Sequence, residues 1–426
     1  MIKFIRFEED VSAEDLVKQI EKKATRTGVK VLKKYKLANI VKIEIPDEMQ
    51  VSTAAIDAAF APYKTKEIFD DFKVDHCLDK AIPLTQVNLV WNRPNLGEGM
   101  VIGICDTGVD KAHPDLAGRV IDTADFTGEG DFDGHGHGTH VSTIAIGDGR
   151  KSNGKYSGAA PKAKMYMAKG LTASGSGSAS GIADGVDWLA DQGVDVISLS
   201  LGGAVTPGVK DILQVMCEAA VDQGIAVFCA AGNSGPGDRT IGTPGVSLKV
   251  ITIGASDDND KVADFSSRGP TLDGFEKPDV VTPGVKIIAG RAKNTSMGTV
   301  IDDFYTEASG TSMATPLAAG IGLLIKKEYP NITPINLKAR LEGYAKDLGT
   351  GSRAIEGRGR IQALDSIVGS QPTPLPEEPI AEPQPCFLTK LFGAGSGVLP
   401  VFRVIRDDIL APTFIGRLII RLYYRL

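Results

Sequence analysis

Three short, glycine-flanked patches hold residue types that could do chemistry. In the first, Val101-Ile-Gly-Ile-Cys-Asp106-Thr-Gly, an apolar run ends in an aspartate and then a turn. The carboxyl ends of strands in open α/β sheets face the binding crevice, which places Asp106 for function. Read alone, it is equally a turn or capping aspartate. The second patch, Gly134-His-Gly-His137-Gly-Thr-His140-Val-Ser142, holds three of the chain's five histidines. Imidazole is a common zinc ligand. His135, His137 and His140, at i, i+2 and i+5, do not share one helical face, unlike the HExxH pattern. The other readings are one catalytic histidine opening a helix, with two in support, or a histidine-containing turn before a buried helix. In the third patch, Ala308-Ser-Gly310-Thr-Ser312-Met-Ala-Thr-Pro316, a Gly-Thr-Ser turn leads into an apolar helix. Pro316 is expected in its first turn, where a missing N–H costs little. Ser312 is expected at the helix N-terminus, where free N–H groups and the dipole favour developing negative charge. Alone it reads as an N-cap.

Together the patches supply an acid, an imidazole and a serine, each beside glycines that let a substrate backbone approach. Nucleophilic acyl transfer needs that set. A serine hydroxyl attacks only when a base takes its proton, and the base needs a carboxylate to fix its tautomer. The chain order Asp, His, Ser belongs to the subtilisins among serine hydrolases. From about residue 100 to 369 the chain resembles a subtilisin-like serine protease, or subtilase. Asp106-Thr-Gly, Gly136-His-Gly-Thr-His-Val141 and the seven-residue Gly310-Thr-Ser-Met-Ala-Thr-Pro316 carry the resemblance. It implies a triad of Asp106, His137 and Ser312, a structural role for His140, and an extra histidine at 135. His140-Val-Ser-Thr departs from the usual His-Val-Ala-Gly, a change not expected to touch the triad.

Further stretches fit the same resemblance. Asn233, in Ala230-Ala-Gly-Asn-Ser-Gly, is implied to donate to the oxyanion together with the backbone N–H of Ser312. Ser200, Leu201 and Gly202, in Leu199-Ser-Leu-Gly-Gly203, are implied to pair with substrate backbone and border the S1 pocket. That wall carries no acid, so a broad or apolar P1 preference is expected. Ser176 and Gly177, in Gly175-Ser-Gly-Ser-Ala-Ser-Gly181, are implied to form the opposite rim of the cleft; as a dinucleotide loop the spacing is wrong. No cofactor is required for this chemistry. Asp122, Asp125, Glu129, Asp131 and Asp133 crowd the stretch before the histidines, which leaves room for a structural calcium. The spacing is not an EF-hand, so a solvated acidic loop is the plainer reading.

These patches need a scaffold that holds strand ends beside helix starts. Val101–Cys105, Lys164–Ala168, Val194–Leu199, Ile225–Ala230 and Val250–Gly254 read as buried strands, and Ile182–Gln192, Val209–Gln223 and Ser312–Glu328 as helices. Apolar strands separated by helices predict an α/β fold, a parallel sheet flanked by helices on both faces. Residues 1–76 are lysine-rich and glycine-poor, with a helix expected at Asp15–Lys23 and strands at Val29–Leu32 and Ile40–Ile45. This small α+β unit of βαβ type resembles the subtilase propeptide, which implies a folding aid that then occupies the cleft as the enzyme's own partner. Processing is expected near residues 70–80, and the subtilisin-like peptidase domain is expected over residues 77–369. Residues 370–385 read as a proline-rich linker. Residues 386–426 carry six basic and two acidic residues, a net +4 within a chain of net −6. In a helix Arg417, Arg421 and Arg425 would share one face, so this segment could contact an anionic membrane or a partner protein.

Composition narrows the alternatives. The 426 residues are 42% hydrophobic and 23% charged, enough for a sizeable core. The acidic balance argues against nucleic acid as a partner. No transmembrane run or signal-like start is visible. Five widely spaced cysteines without CxxC suit a reducing compartment, so a cytoplasmic location is expected, with non-classical export or membrane-surface association as the other routes. The expected activity is serine endopeptidase action on proteins or peptides, made as a self-processed precursor. The rival classes are a catalytically inactive subtilase-like binding module and a zinc hydrolase built on His135, His137 and His140.

Overall fold

A computed structural model describes residues 80–372 and four strands nearer the N-terminus. The chain divides into two compact units, Met1–Asp75 and His76–Leu426. In the first, β1 (Ile2–Phe7), β2 (Lys30–Tyr35), β3 (Ile40–Glu44) and β4 (Thr65–Asp70) form one sheet in the order β2-β3-β1-β4. Both β1 and β2 run antiparallel to β3. They therefore point the same way with β3 between them, the strand arrangement of a split βαβ unit. The expected helix at Asp15–Lys23, the processing region, Cys77 and Cys386, the linker beyond residue 372 and the basic segment 386–426 lie outside the described residues.

The second unit opens with two short helices, α1 (Ala81–Leu84) and α2 (Val87–Trp91), and is built on a seven-stranded sheet. Its strands in chain order are β5 (Val101–Asp106), β6 (Val120–Asp125), β7 (Lys164–Lys169), β8 (Val196–Leu199), β9 (Ala226–Ala230), β10 (Ile251–Ser256) and β11 (Val280–Pro283). Their spatial order is β11-β10-β9-β8-β5-β7-β6, and every pairing is parallel. Period-two alternation along the strands feeds two separate cores. Ile102, Ile104, Val196, Ala226 and Phe228 point to one face, where helices α3 (His137–Ile146) and α6 (Thr311–Glu328) pack. Cys105, Ile197, Leu199, Val227 and Cys229 point to the other, under α4 (Ala179–Asp191) and α5 (Ile212–Asp222). The sheet is thus covered on both faces, as the unbroken apolar strands require. From β5 the chain moves outward to β6 and β7, then crosses back to β8 on the other side. Asp106 ends β5 at that reversal, where α/β sheets open a crevice.

Several boundaries differ from the sequence reading, each for a local reason. Helix α5 starts after Asp211, not at Val209, because the Asp211 carboxylate caps the N–H groups of Leu213 and Gln214. Helix α4 starts three residues early because Ser178 accepts from Gly181 N. Val194 is buried but lies before β8, since the next residue's carboxylate, Asp195, takes Val101 N at 2.8 Å. Asp122 and Asp125 do not sit in a loop: they belong to edge strand β6, whose free side faces water and so carries no apolar signal. A small antiparallel sheet, β12 (Ile287–Gly290), β13 (Thr299–Val300) and β14 (Tyr305–Ala308), leads into α6.

Candidate active site

The site begins at the buried end of β5. Asp106 Oδ1 accepts from its neighbour's amide, Thr107 N, at 2.7 Å and lies 2.7 Å from His137 Nδ1. The Asp106 side chain has no exposed surface. A carboxylate acceptor at Nδ1 fixes the tautomer with its proton there and leaves Nε2 free to take a proton. Burial disfavours the imidazolium of His137, but the charge and hydrogen bond of Asp106, with a contribution from Asp133, outweigh it and raise the His137 pKa above the ordinary value.

His137 opens α3, and that helix start is held by Asp133. Asp133 Oδ1 accepts from Thr107 Oγ1 at 2.9 Å and Gly136 N at 2.7 Å, while Oδ2 accepts from Thr139 N at 2.8 Å and Thr139 Oγ1 at 2.6 Å. A carboxylate here answers both the free N–H groups and the dipole of the helix. Asp133 is therefore no member of a solvated acidic loop; it is buried and ties α3 to the turn after Asp106. Gly138 N donates to Thr107 Oγ1 at 2.8 Å, and a Cβ at Gly138 would fall 2.0 Å from Gly108 O. Only glycine lets the histidine helix press this closely on the aspartate turn.

The three clustered histidines go to different partners. His140 is fully buried, and its Nε2 lies 3.1 Å from Thr306 O on β14. Burial and the neighbouring His137 lower its pKa to about 4, so it is neutral at pH 7. The His135 ring meets His137 edge-on at 6.2 Å, and its other side faces Gly175 of the rim loop. Among the described residues no group of three or more His, Cys, Asp or Glu is arranged to hold a metal ion. Ser142, the departure noted in the histidine motif, donates to Gly138 O at 2.6 Å within its own helix. The other acids before the histidines have protein partners: Asp125 takes Thr127 N and Gly130 N, Asp131 pairs with Lys111, and Glu129 lies 3.3 Å from Lys169.

Ser312 is the second residue of α6, two positions past the N-cap Gly310. Pro316 lies inside the helix, not in its first turn. Lacking an N–H, it cannot bond to the carbonyl four residues back. That carbonyl, of Ser312, instead accepts Ser200 Oγ at 2.9 Å, and Ser312 Oγ donates to Ser200 O at 3.1 Å. The strand end Leu199–Ser200 thus grips the serine by both its groups. Asn233 follows β9 after Ala231 and Gly232. Its Oδ1 accepts from Thr311 N at 2.9 Å and Thr311 Oγ1 at 3.0 Å. An N–H can only donate, so this contact assigns the oxygen and leaves Nδ2 as the free donor. A Cβ at Gly310 would lie 3.4 Å from that Nδ2 and 3.6 Å from Ser312 N. The two donors flank one spot that only glycine keeps open.

The implied substrate walls fall at strand ends. Ser200 is buried against Ser312; Leu201 is partly buried, Gly202 and Gly203 are exposed, and Gly203 bridges Thr243. Ser176 and Gly177 sit on the exposed loop after β7, where Ser176 O accepts from Thr172 N at 2.8 Å. That loop is joined to β5, since Asp106 O accepts from Gly170 N and Leu171 N, each at 3.0 Å. The sequence reading missed Thr107, Thr311 and Lys169 as supports. The first two were visible as the residues beside Asp106 and Ser312; a lysine ending an apolar strand gave no signal.

Residues 97–359 match the Peptidase S8 family, described as the subtilase family. The chain is 40% identical over 330 residues to "Serine protease AprX" of Bacillus subtilis (strain 168), covering 71% of this chain and 74% of that protein. It is 38% identical over 273 residues to "Subtilisin DY" of Bacillus licheniformis, covering 63% of this chain and 91% of the relative. The fold is similar to the crystal structure of a cold adapted subtilisin-like serine proteinase, with a TM-score of 0.53 at 28% identity over 63% of this chain and 90% of that one.

Proposed function

The chain belongs to the subtilase family and is a serine endopeptidase, and on that premise we propose that Ser312, His137 and Asp106 form its catalytic triad. His137 Nε2 takes the proton of Ser312 Oγ as the oxygen attacks the scissile carbonyl. Asp106 orients the ring and stabilises the imidazolium. His137 then gives the proton to the leaving amine, and water repeats the sequence on the acyl-enzyme. Asn233 Nδ2 and Ser312 N, flanking one spot at Gly310, receive the oxyanion. In a subtilisin, loss of such a donor costs about 10²–10³ in turnover, a precedent from the same family.

The observation that carries this reading is the 2.7 Å bond between the buried Asp106 carboxylate and His137. A broad or apolar P1 preference follows from the uncharged wall Leu201-Gly202-Gly203, and the N-terminal unit is read as a propeptide removed by the enzyme itself. The test is labelling by a serine-directed fluorophosphonate, with and without a chelator. Ser312→Ala and His137→Ala are each expected to lower peptidase activity by about 10⁶-fold, because triad members act as a unit. Ser312→Ala should also stay an uncleaved precursor. A Ser312→Ala chain that processes itself in the absence of other proteases would sink the assignment, and label uptake abolished by the chelator would favour a metal hydrolase.

A further inference from the structure

Lys169 ends β7, and its side chain has no exposed surface. The parallel register sets it opposite Asp106 on one side and Asp125 on the other. Its Nζ donates to Thr107 O at 2.8 Å and to Leu171 O at 3.0 Å, and lies 3.3 Å from Glu129 Oε2. Two of the ammonium's three protons thus go to carbonyls and Glu129 supplies the counter-charge, on three separate segments. Glu129 Oε2 in turn accepts from Ala173 N at 2.7 Å, and the Phe132 ring lies 5.9 Å from the ammonium. Taking a charge fully out of water is costly unless its partners are well placed. Here they are the carbonyl of Thr107 (the residue after the triad aspartate), the start of the 170–177 rim, and the loop that precedes the catalytic histidine.

We propose that Lys169 is a positioning residue: it clamps the Thr107–Gly108 peptide, next to Asp106, to the rim loop, so that the carboxylate that orients His137 and the edge that receives substrate keep one fixed geometry. The lever is Thr107. Its N–H holds Asp106 Oδ1, its Oγ1 joins Asp133 and Gly138 N, and its carbonyl is the atom Lys169 grips. If Thr107 tilts as a whole, its N–H swings away from Asp106 Oδ1 and the Asp106–His137 bond lengthens with it. The same tilt loosens Gly170 and Leu171, whose N–H groups end on Asp106 O. Lys169 touches neither the reacting atoms nor substrate, so its effect passes through Asp106 and the rim. This inference rests on the triad reading of the site.

The experiment compares Lys169→Met, Lys169→Arg and the unaltered full chain by kcat, KM and the pH profile of kcat/KM on a tetrapeptide substrate, with Tm measured alongside. His137 faces Asp106, Asp133, His135 and His140, and of these only Asp106 bonds its ring. The acid limb of the profile therefore reports on the Asp106 pair. Lys169→Met is expected to lower kcat by about tenfold or more, since a misplacement near 1 Å can cost up to ~10². It should also move the acid limb to lower pH, and Lys169→Arg should restore part of the shift. An unmoved limb, or a loss of activity that only follows the unfolded fraction, overturns the proposal. If Lys169→Met does not fold, Glu129→Gln takes its place, because Glu129 is partly exposed. It is expected to lower kcat/KM several-fold at unchanged Tm, and unchanged kcat/KM overturns the proposal. Fluorophosphonate labelling of the unaltered chain separates the two failures: no label there removes the triad reading itself, whereas label with wild-type behaviour in the Lys169 variants removes only the clamp.

Discussion

At the scale of single residues, the site depends on one charge sitting beside one ring. Asp106 raises the His137 pKa despite the ring's burial. A general base works only when neutral, so activity should appear on the alkaline side of the ordinary imidazole range and fall as pH drops through the raised value. Asp106→Asn removes the charge and lets the ring take the wrong tautomer. It should lower kcat by about 10⁴ and move the acid limb of kcat/KM to lower pH; an unmoved limb would mean that another group sets it. His140 shows the opposite case. Its folded pKa is lowered from 6.5 to about 4, so the unfolded chain binds this proton first as pH falls. Its contribution to stability is complete above pH 6.5, declines between 6.5 and about 4, and is gone below. The loss amounts to about 3 kcal/mol for a shift of this size. His140→Gln should therefore flatten the fall of Tm across that window, and a variant with an unchanged slope would place the acid sensitivity elsewhere.

At the scale of elements, a helix start and a strand end must be locked to each other before any of that chemistry is available. Asp133 is the lock between α3 and β5. Asp133→Ala would orphan Gly136 N, Thr139 N and the Thr107 hydroxyl, all of them buried or nearly so. A destabilisation of about 2–4 kcal/mol is expected, with kcat falling as well because both His137 and Asp106 lose a support. Asp133→Asn should recover part of the stability. Equal Tm for Asp133→Ala and the unaltered chain would show that the capping contacts carry no net free energy. This lock was in plain view and was misread. Asp133 stands among other acids, and in a sequence a capping carboxylate looks like any solvated one. The buried strands were legible because apolar runs that fill both faces leave an unbroken signal, as in Ile225–Ala230. Edge strand β6 was not, because only one of its sides is covered. Motifs singled out Asp106, His137, Ser312 and Asn233 as candidates, and in the structure Asp106 bonds His137 while Asn233 bonds Thr311, the neighbour of Ser312. The place of Pro316 inside α6, and the Ser200–Ser312 exchange it permits, needed the three-dimensional register.

At the scale of the whole molecule, the topology bears on the proposed propeptide role of the N-terminal unit. The two central strands of the sheet, β5 and β8, pair Ile102 with Val196 and Ile104 with Ser198. β6, α3, β7 and α4 all lie between them in the chain, so that parallel pair closes a long loop, and a parallel pair has no hairpin to start it. Closing such distant contacts costs chain entropy before any contact repays it, which slows folding. A template that holds the strands together during this search would speed it without being needed afterwards. On the proposed propeptide reading, the Met1–Asp75 unit, which carries its own four-stranded sheet, is that template. A chain beginning at Lys80 keeps Ala81 and Ile82, which are buried in the core, so its native state loses none of the sheet. Its refolding from denaturant is nevertheless expected to be slow or incomplete, and residues 1–76 added in trans should accelerate it. The same piece should inhibit the mature peptidase at micromolar concentration, because a template that fits the folded cleft competes with substrate there. Acceleration without inhibition would make the unit a folding aid that does not reach the cleft. Rapid, complete refolding of the Lys80 chain together with no inhibition would leave the propeptide reading without support.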